Sequence, residues 1–218
     1  MPLLMCDLDD TLVERPPLFL AWAEKFLADH GADPVLLDWL VEQDRGGHRP
    51  RREFLATVAE RTAYDVAPEE FLREYDEALG GSYRLTDGVR AALDDAHAAG
   101  WTLAVLTNGP VGAQSIKVRA TDLDRLAAAV CISEEVGAPK PDASMFTTAA
   151  ARAGTSLDGA WMIGVNLDAD IAGGHGVGAR TVWIRRPDDW LTPESRVRPD
   201  RVATDFPDAV RQVLEATG

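Results

Sequence analysis

From Asp87 onward, short apolar runs alternate with stretches whose apolar residues recur at helical spacing, and that alternation admits few folds. Residues 101–106, 129–132, 160–165 and 180–184 read as buried strands. Between them the pattern predicts a helix over 89–99 closed by Gly100, one near 116–125, and one from a cap at Asp142 to 153. A short helix is expected after Asp168, then a short extended piece from Val202 and a closing helix over 207–216. Strands joined through helices pair in parallel, and the resulting sheet is covered on both faces. The expected class is α/β, a Rossmann-like doubly wound parallel sheet.

The N-terminus supplies a further strand. The apolar run Leu3-Leu4-Met5-Cys6 leads straight into Asp7-Leu8-Asp9-Asp10-Thr11-Leu12. Two aspartates two residues apart on an extended backbone point the same way, so Asp7 and Asp9 can serve one site. Like charges that close need a cation or a positive partner between them. Ligands of parallel sheets bind beyond the carboxyl ends of the strands. Four polar segments fall there: 7–11, Thr107-Asn108, Lys140-Pro141 and 164–170.

After Thr11 the pattern turns helical. Leu18, Ala21, Trp22 and Phe26 repeat at helical spacing, as do Leu36, Leu37, Leu40 and Val41. Two further segments carry Phe54, Leu55, Val58 and Ala59, then Phe71, Leu72, Tyr75 and Leu79. Pro68 before Glu69-Glu70 marks a helix start. Residues 15–84 are thus expected to form a helical module inserted into a core of residues 1–14 and 85–218.

With 22 Lys plus Arg against 36 Asp plus Glu, the net charge is −14, which argues against nucleic acid or an anionic membrane as a partner. No apolar run reaches spanning length, and no basic stretch precedes an apolar one at the N-terminus, so a cytoplasmic location is expected. Cys6 and Cys131 each lie in an expected strand and read as buried, reduced thiols. One cationic cluster stands out: Arg45, His48, Arg49, Arg51 and Arg52 around Gly46-Gly47. Cations near a helix start oppose its dipole, so they need acidic neighbours or an anionic ligand.

In this order, the four polar segments resemble the motifs of the haloacid dehalogenase-like superfamily, whose members are mostly magnesium-dependent phosphatases. Asp7-Leu8-Asp9-Asp10-Thr11 satisfies its D-x-D-x-T motif, Thr107 its strand-end Ser or Thr, and Lys140 its lysine. The helical insertion after the first motif looks like the family's cap domain, which excludes water and sets substrate choice. The resemblance implies Asp7 as nucleophile and Asp9 as general acid and base. Thr107 and Asn108 would bind phosphoryl oxygens, Lys140 would neutralise developing charge, and Arg45, His48 and Arg49 would form a specificity loop. The implied substrate is a small phosphorylated metabolite.

The fourth motif, G-D-x-x-x-x-D, departs from the pattern. Gly164-Val165-Asn166-Leu167-Asp168-Ala169-Asp170 has Val165 in place of the first aspartate, which the resemblance makes a direct Mg2+ ligand beside Asp7 and the Asp9 carbonyl. Asp170 matches the second acid, acting through water or by orienting Lys140. Losing one carboxylate is expected to weaken magnesium by at least ~10–100-fold, the cost of losing a mere outer partner. Three readings stay open: Asp168 replaces the missing ligand, the metal is weakly held, or the chain is a pseudo-phosphatase that binds a phosphorylated ligand without turnover. A metal-free haloacid dehalogenase is a further alternative; it has no use for Asp9, and Asn166 resembles its asparagine only at a different spacing.

Overall fold

A computed structural model describes residues 1–47, 49–186 and 197–217. The chain divides into two compact units, one of residues Met1–Val13 and Arg84–Gly218, the other of Glu14–Tyr83.

The larger unit is built on β1 (Leu3–Cys6), β2 (Thr102–Thr107), β3 (Ala129–Ile132), β4 (Trp161–Gly164), β5 (Arg180–Ile184) and β6 (Arg201–Ala203). Their order is β3-β2-β1-β4-β5-β6, and every ladder is parallel. The α/β class expected from the alternation is the one observed. Because β2 and β3 lie on one side of β1 and β4 to β6 on the other, the connection reverses direction at β1. That reversal opens a crevice at the strands' carboxyl ends, where ligands of such sheets bind.

Buried residues Leu3, Met5, Ala104, Leu106, Cys131 and Met162 pack with Met145, Phe146 and Ala149 of the helix Ala143–Arg152. The alternate strand residues, including Leu4, Cys6, Leu103 and Val105, are equally buried, as a sheet covered on both faces requires. The helices Asp87–Ala98 and Phe206–Glu215 pack against one another and on the sheet. Cys6 and Cys131 are free and buried.

Where a helix near 116–125 is expected, two helices stand instead, Val111–Ala120 and Leu123–Leu126. The first follows Pro110, which is extended and caps it, and the break falls at Asp122, in left-handed conformation. Asp142 caps the next long helix, its side chain accepting from the Ser144 amide.

The smaller unit holds the helices Arg15–Asp29, Leu36–Asp44, Arg51–Thr62 and Pro68–Gly80. Its core is aromatic. Trp22 stacks on Phe26 at 5.4 Å and meets Tyr75 edge-on at 4.7 Å, and Phe26 stacks on Phe71 at 5.2 Å. Beside them Arg15 is buried and donates to both carboxylate oxygens of Asp44 at 2.7 Å and to the Tyr75 hydroxyl at 3.1 Å. Among the described residues no helix is long and apolar enough to cross a membrane.

Candidate active site

Lys140 is the hub of the larger unit's rim. Its Nζ donates to Asp7 Oδ1 at 2.6 Å, to Asp170 Oδ1 at 2.7 Å and to the Leu106 carbonyl at 2.8 Å. An ammonium has three protons to give, and all three are used. Burial opposes its charge, but the two carboxylates outweigh burial and hold Lys140 above the ordinary lysine range. It is a fixed cation.

Asp7 extends β1 by one bond, its amide donating to the Ile163 carbonyl at 3.0 Å. Its Oδ2 accepts from the Thr11 hydroxyl at 3.0 Å. Burial pushes its carboxyl up to about 6, with Lys140 pulling it down and Asp170 adding to the rise. The loop that follows doubles back because the Leu8 carbonyl accepts from the amides of Thr11, Leu12 and Val13 at 3.0–3.3 Å. This turn brings Asp10 to φ 64°, a conformation aspartate tolerates, and Arg186 pairs with its carboxylate at 3.0 Å.

Asp170 is held as firmly. Its Oδ2 accepts from the Asn166 amide at 2.9 Å. The absence of a side chain at Gly164 makes room for it, since a Cβ there would collide with the Asp170 carboxylate. Asn166 is a cap, its Oδ1 accepting from the amides of Asp168 and Ala169 at 3.0 and 2.8 Å.

Thr107 is buried at the end of β2, one residue past the carbonyl that receives Lys140. Asn108 does not stand free to meet a ligand. Its Nδ2 donates to the Lys140 carbonyl at 3.0 Å, and its Oδ1 accepts from the Lys140 amide at 2.8 Å.

Asp9 lies in a second cationic grip that the sequence reading missed. Lys117 Nζ reaches both of its oxygens, at 2.6 and 2.7 Å, and Gln114 Nε2 donates to Oδ2 at 3.1 Å. Gln114 and Lys117 stand three residues apart on Val111–Ala120, so they share a face. Gln114 also donates to the Asn108 carbonyl at 2.9 Å, tying Asp9 to the segment that brackets Lys140. The signal available was a lysine and a glutamine at helical spacing just after a strand-end motif.

The cationic cluster belongs to the smaller unit. Arg49 donates to Gln43 at 2.7 Å and Thr57 at 2.8 Å, Arg51 pairs with Asp44 at 2.8 Å, and Arg52 with Glu69 at 2.6 Å. Acidic neighbours thus answer the charges of Arg51 and Arg52. Gly47, at φ 88°, lets the backbone approach the buried Arg15 guanidinium, which a Cβ would meet at 3.1 Å. Arg45 is exposed, and His48 lies outside the described residues.

The magnesium ion that the motif order implies fits this donor set poorly. Magnesium takes near-octahedral oxygen ligation, usually with one or two carboxylates. Val165 offers only its carbonyl, and that accepts from Trp183 Nε1 at 2.8 Å. Both oxygens of Asp7, Asp9 and Asp170 already accept hydrogen bonds, and Asp168 is exposed. Among the described residues no three His, Cys, Asp or Glu side chains gather as a cation site.

Comparison with known proteins places this geometry among relatives. A model of the haloacid dehalogenase-like hydrolases matches residues 4–184. A phosphoserine phosphatase of Thermus thermophilus is 36% identical over 181 residues, covering 81% of this chain, which spans only 63% of that protein. An N-acetylmuramic acid 6-phosphate phosphatase of Pseudomonas aeruginosa is 30% identical over 185 residues, 82% of this chain and 79% of that one. A magnesium-bound hydrolase structure from Bacillus subtilis shares the fold, with TM-score 0.78 and 21% identity over 97% of this chain and 98% of that one.

Proposed function

We propose that this chain, which belongs to the haloacid dehalogenase-like hydrolase family, hydrolyses a small phosphomonoester through an aspartyl-phosphate on Asp7. The observation that carries the reading is the Lys140 ammonium shared between Asp7 and Asp170, with the Asp9 carboxylate two residues along the same loop. The phosphatase relatives support it in kind.

The chemistry follows from those groups. An oxygen of Asp7 attacks phosphorus, and the bond to the leaving alkoxide breaks as the new one forms. Asp9, carrying a proton, gives it to that alkoxide. A water then attacks the aspartyl phosphate, Asp9 takes its proton, and inorganic phosphate leaves with Asp7 regenerated. General acid–base help of this kind is worth ~10²–10⁴-fold. Lys140 keeps Asp7 oriented and meets the charge that grows on the phosphoryl oxygens, joined by the Thr107 hydroxyl. Arg45, His48 and Arg49 of the helical cap are the residues proposed to select the rest of the substrate. A divalent ion would be weakly held for want of a carboxylate at Val165.

Quenching the protein during turnover of an aryl phosphate and mapping the phosphorylated peptide tests the reading. The expected result is one phosphoryl group on Asp7, and loss of at least ~10³-fold in rate for Asp7→Asn with the folded protein's circular dichroism retained. An Asp7→Asn variant that keeps most of its rate would overturn covalent catalysis. Phosphate binding without any turnover would instead favour the non-catalytic ligand-binding protein.

A further inference from the structure

We infer that Gln114 is a positioning residue of the reaction: its side-chain amide aims the Asp9 carboxylate at the oxygen that leaves phosphorus. This rests on the phosphatase reading of the same rim.

Three features carry it. The first is connectivity. Gln114 Nε2 donates to Asp9 Oδ2 at 3.1 Å and to the Asn108 carbonyl at 2.9 Å. Asn108 in turn clasps the backbone of Lys140, and Lys140 Nζ reaches Asp7 at 2.6 Å. The amide thus joins the acid–base group to the cation that orients the nucleophile. Asp7 and Asp9 are tied together twice, once along the chain and once around this circuit.

The second is direction. Lys117 also grips Asp9, but an ammonium on a flexible stem meets a carboxylate from many angles. A carboxamide is planar and presents its two N–H bonds along fixed lines. With one bond given to the Asn108 carbonyl, the line of the other is set, and Asp9 Oδ2 lies on it. Gln114 is itself held in place. It is buried in the first turn of Val111–Ala120, its backbone amide donating to the Pro110 carbonyl at 3.1 Å. Gly109 leaves room for it: a Cβ there would stand 2.6 Å from Nε2 and 3.1 Å from Cγ.

The third is cost. Gln114 Oε1 is sealed from solvent and has no hydrogen-bond partner among the described residues. A buried acceptor left without a donor works against the fold, so an apolar side chain of the same length would serve stability as well or better. What the amide brings to this place is its two donors, and both go to the site.

The test compares kcat/KM of the full chain, in excess magnesium, on two esters. Dinitrophenyl phosphate has a leaving group that departs without a proton, and phenyl phosphate has one that needs it. Because kcat/KM stops at the first irreversible step, hydrolysis of the aspartyl phosphate does not enter. Gln114→Met keeps the length and removes both donors. It is expected to lose about 10²-fold on phenyl phosphate, the cost of a misplacement of about 1 Å, and to stay close to wild type on the dinitrophenyl ester. Its urea midpoint should equal or exceed that of wild type. Added to Asp9→Asn, it should cost no further rate on phenyl phosphate, since the group it aims is already gone. Gln114→Glu, isosteric but lacking the amide donors, should show the same ester dependence, and decides the matter where circular dichroism finds the methionine variant unfolded. An equal loss on both esters, or a full second loss on top of Asp9→Asn, would overturn the inference and leave the phosphatase reading standing. Wild type that turns over neither ester would overturn both together.

Discussion

Asn108 and Lys140 clasp one another at two points, the amide side chain of one spanning the peptide nitrogen and carbonyl of the other at 2.8 and 3.0 Å. The clasp sets the backbone from which the Lys140 side chain reaches Asp7. Asn108→Ala should therefore lower kcat by about 10²-fold, the cost of a misplacement near 1 Å, while KM stays close to its original value. If Asn108 instead bound the phosphoryl group in the ground state, KM would rise. Steady-state kinetics on an aryl phosphate separate the two.

Removing the Lys140 charge should damage the fold as well as the reaction. Lys140→Met leaves Asp7 and Asp170 buried without a cation, and breaking a buried pair from one side costs ~3–5 kcal/mol. Lys140→Arg should not rescue activity, because a planar guanidinium cannot direct three donors to Asp7, Asp170 and the Leu106 carbonyl as an ammonium does. Urea melts and rates on both variants check this.

Gly164→Ala is a one-methyl probe of the same cluster. The added carbon would collide with the Asp170 side chain, so Asp170 must move and release Lys140. Overpacking of this kind costs ~1–3 kcal/mol, and the rate should fall with it. A variant with wild-type stability and wild-type rate would contradict the packing described.

In the smaller unit, Asp44 makes stability pH-dependent. Burial raises its carboxyl, but hydrogen bonds from Arg15 and Arg51 outweigh burial and hold it below its ordinary value of 3.8. The pairing is therefore fully stabilising above that value and is lost as pH falls through the lower folded value. Asp44→Asn should cost ~3–5 kcal/mol near neutrality, because the buried Arg15 loses the carboxylate that answers its charge, and proportionately less in strong acid. Urea melts of both proteins at pH 7 and pH 3 give the comparison.

The strand ends were legible because apolar runs that stop at polar residues carry a periodic signal, and Asp7 and Thr107 sit at such stops, while Lys140 and Asp170 lie in the segments that follow β3 and β4. Lys117 was not. Its helix begins at Val111 directly after Pro110, and its sequence, with Gly112 near the start, alternates too weakly to show a face. A helix read as starting near 116 hides Gln114 altogether. The arginines were illegible for another reason. Whether Arg52 meets a ligand or an acid depends on Glu69, seventeen residues on and on a different helix, and no local pattern encodes that neighbour.

The central position of β1 has a consequence for how the chain comes off the ribosome. Its hydrogen-bonding neighbours are β2, whose first residue is Thr102, and β4, whose first residue is Trp161. The strand that carries Asp7 is thus made before either of its partners and waits, wholly apolar, through the synthesis of the entire helical insertion. Leu3, Leu4, Met5 and Cys6 are the segment most in need of shelter during that interval.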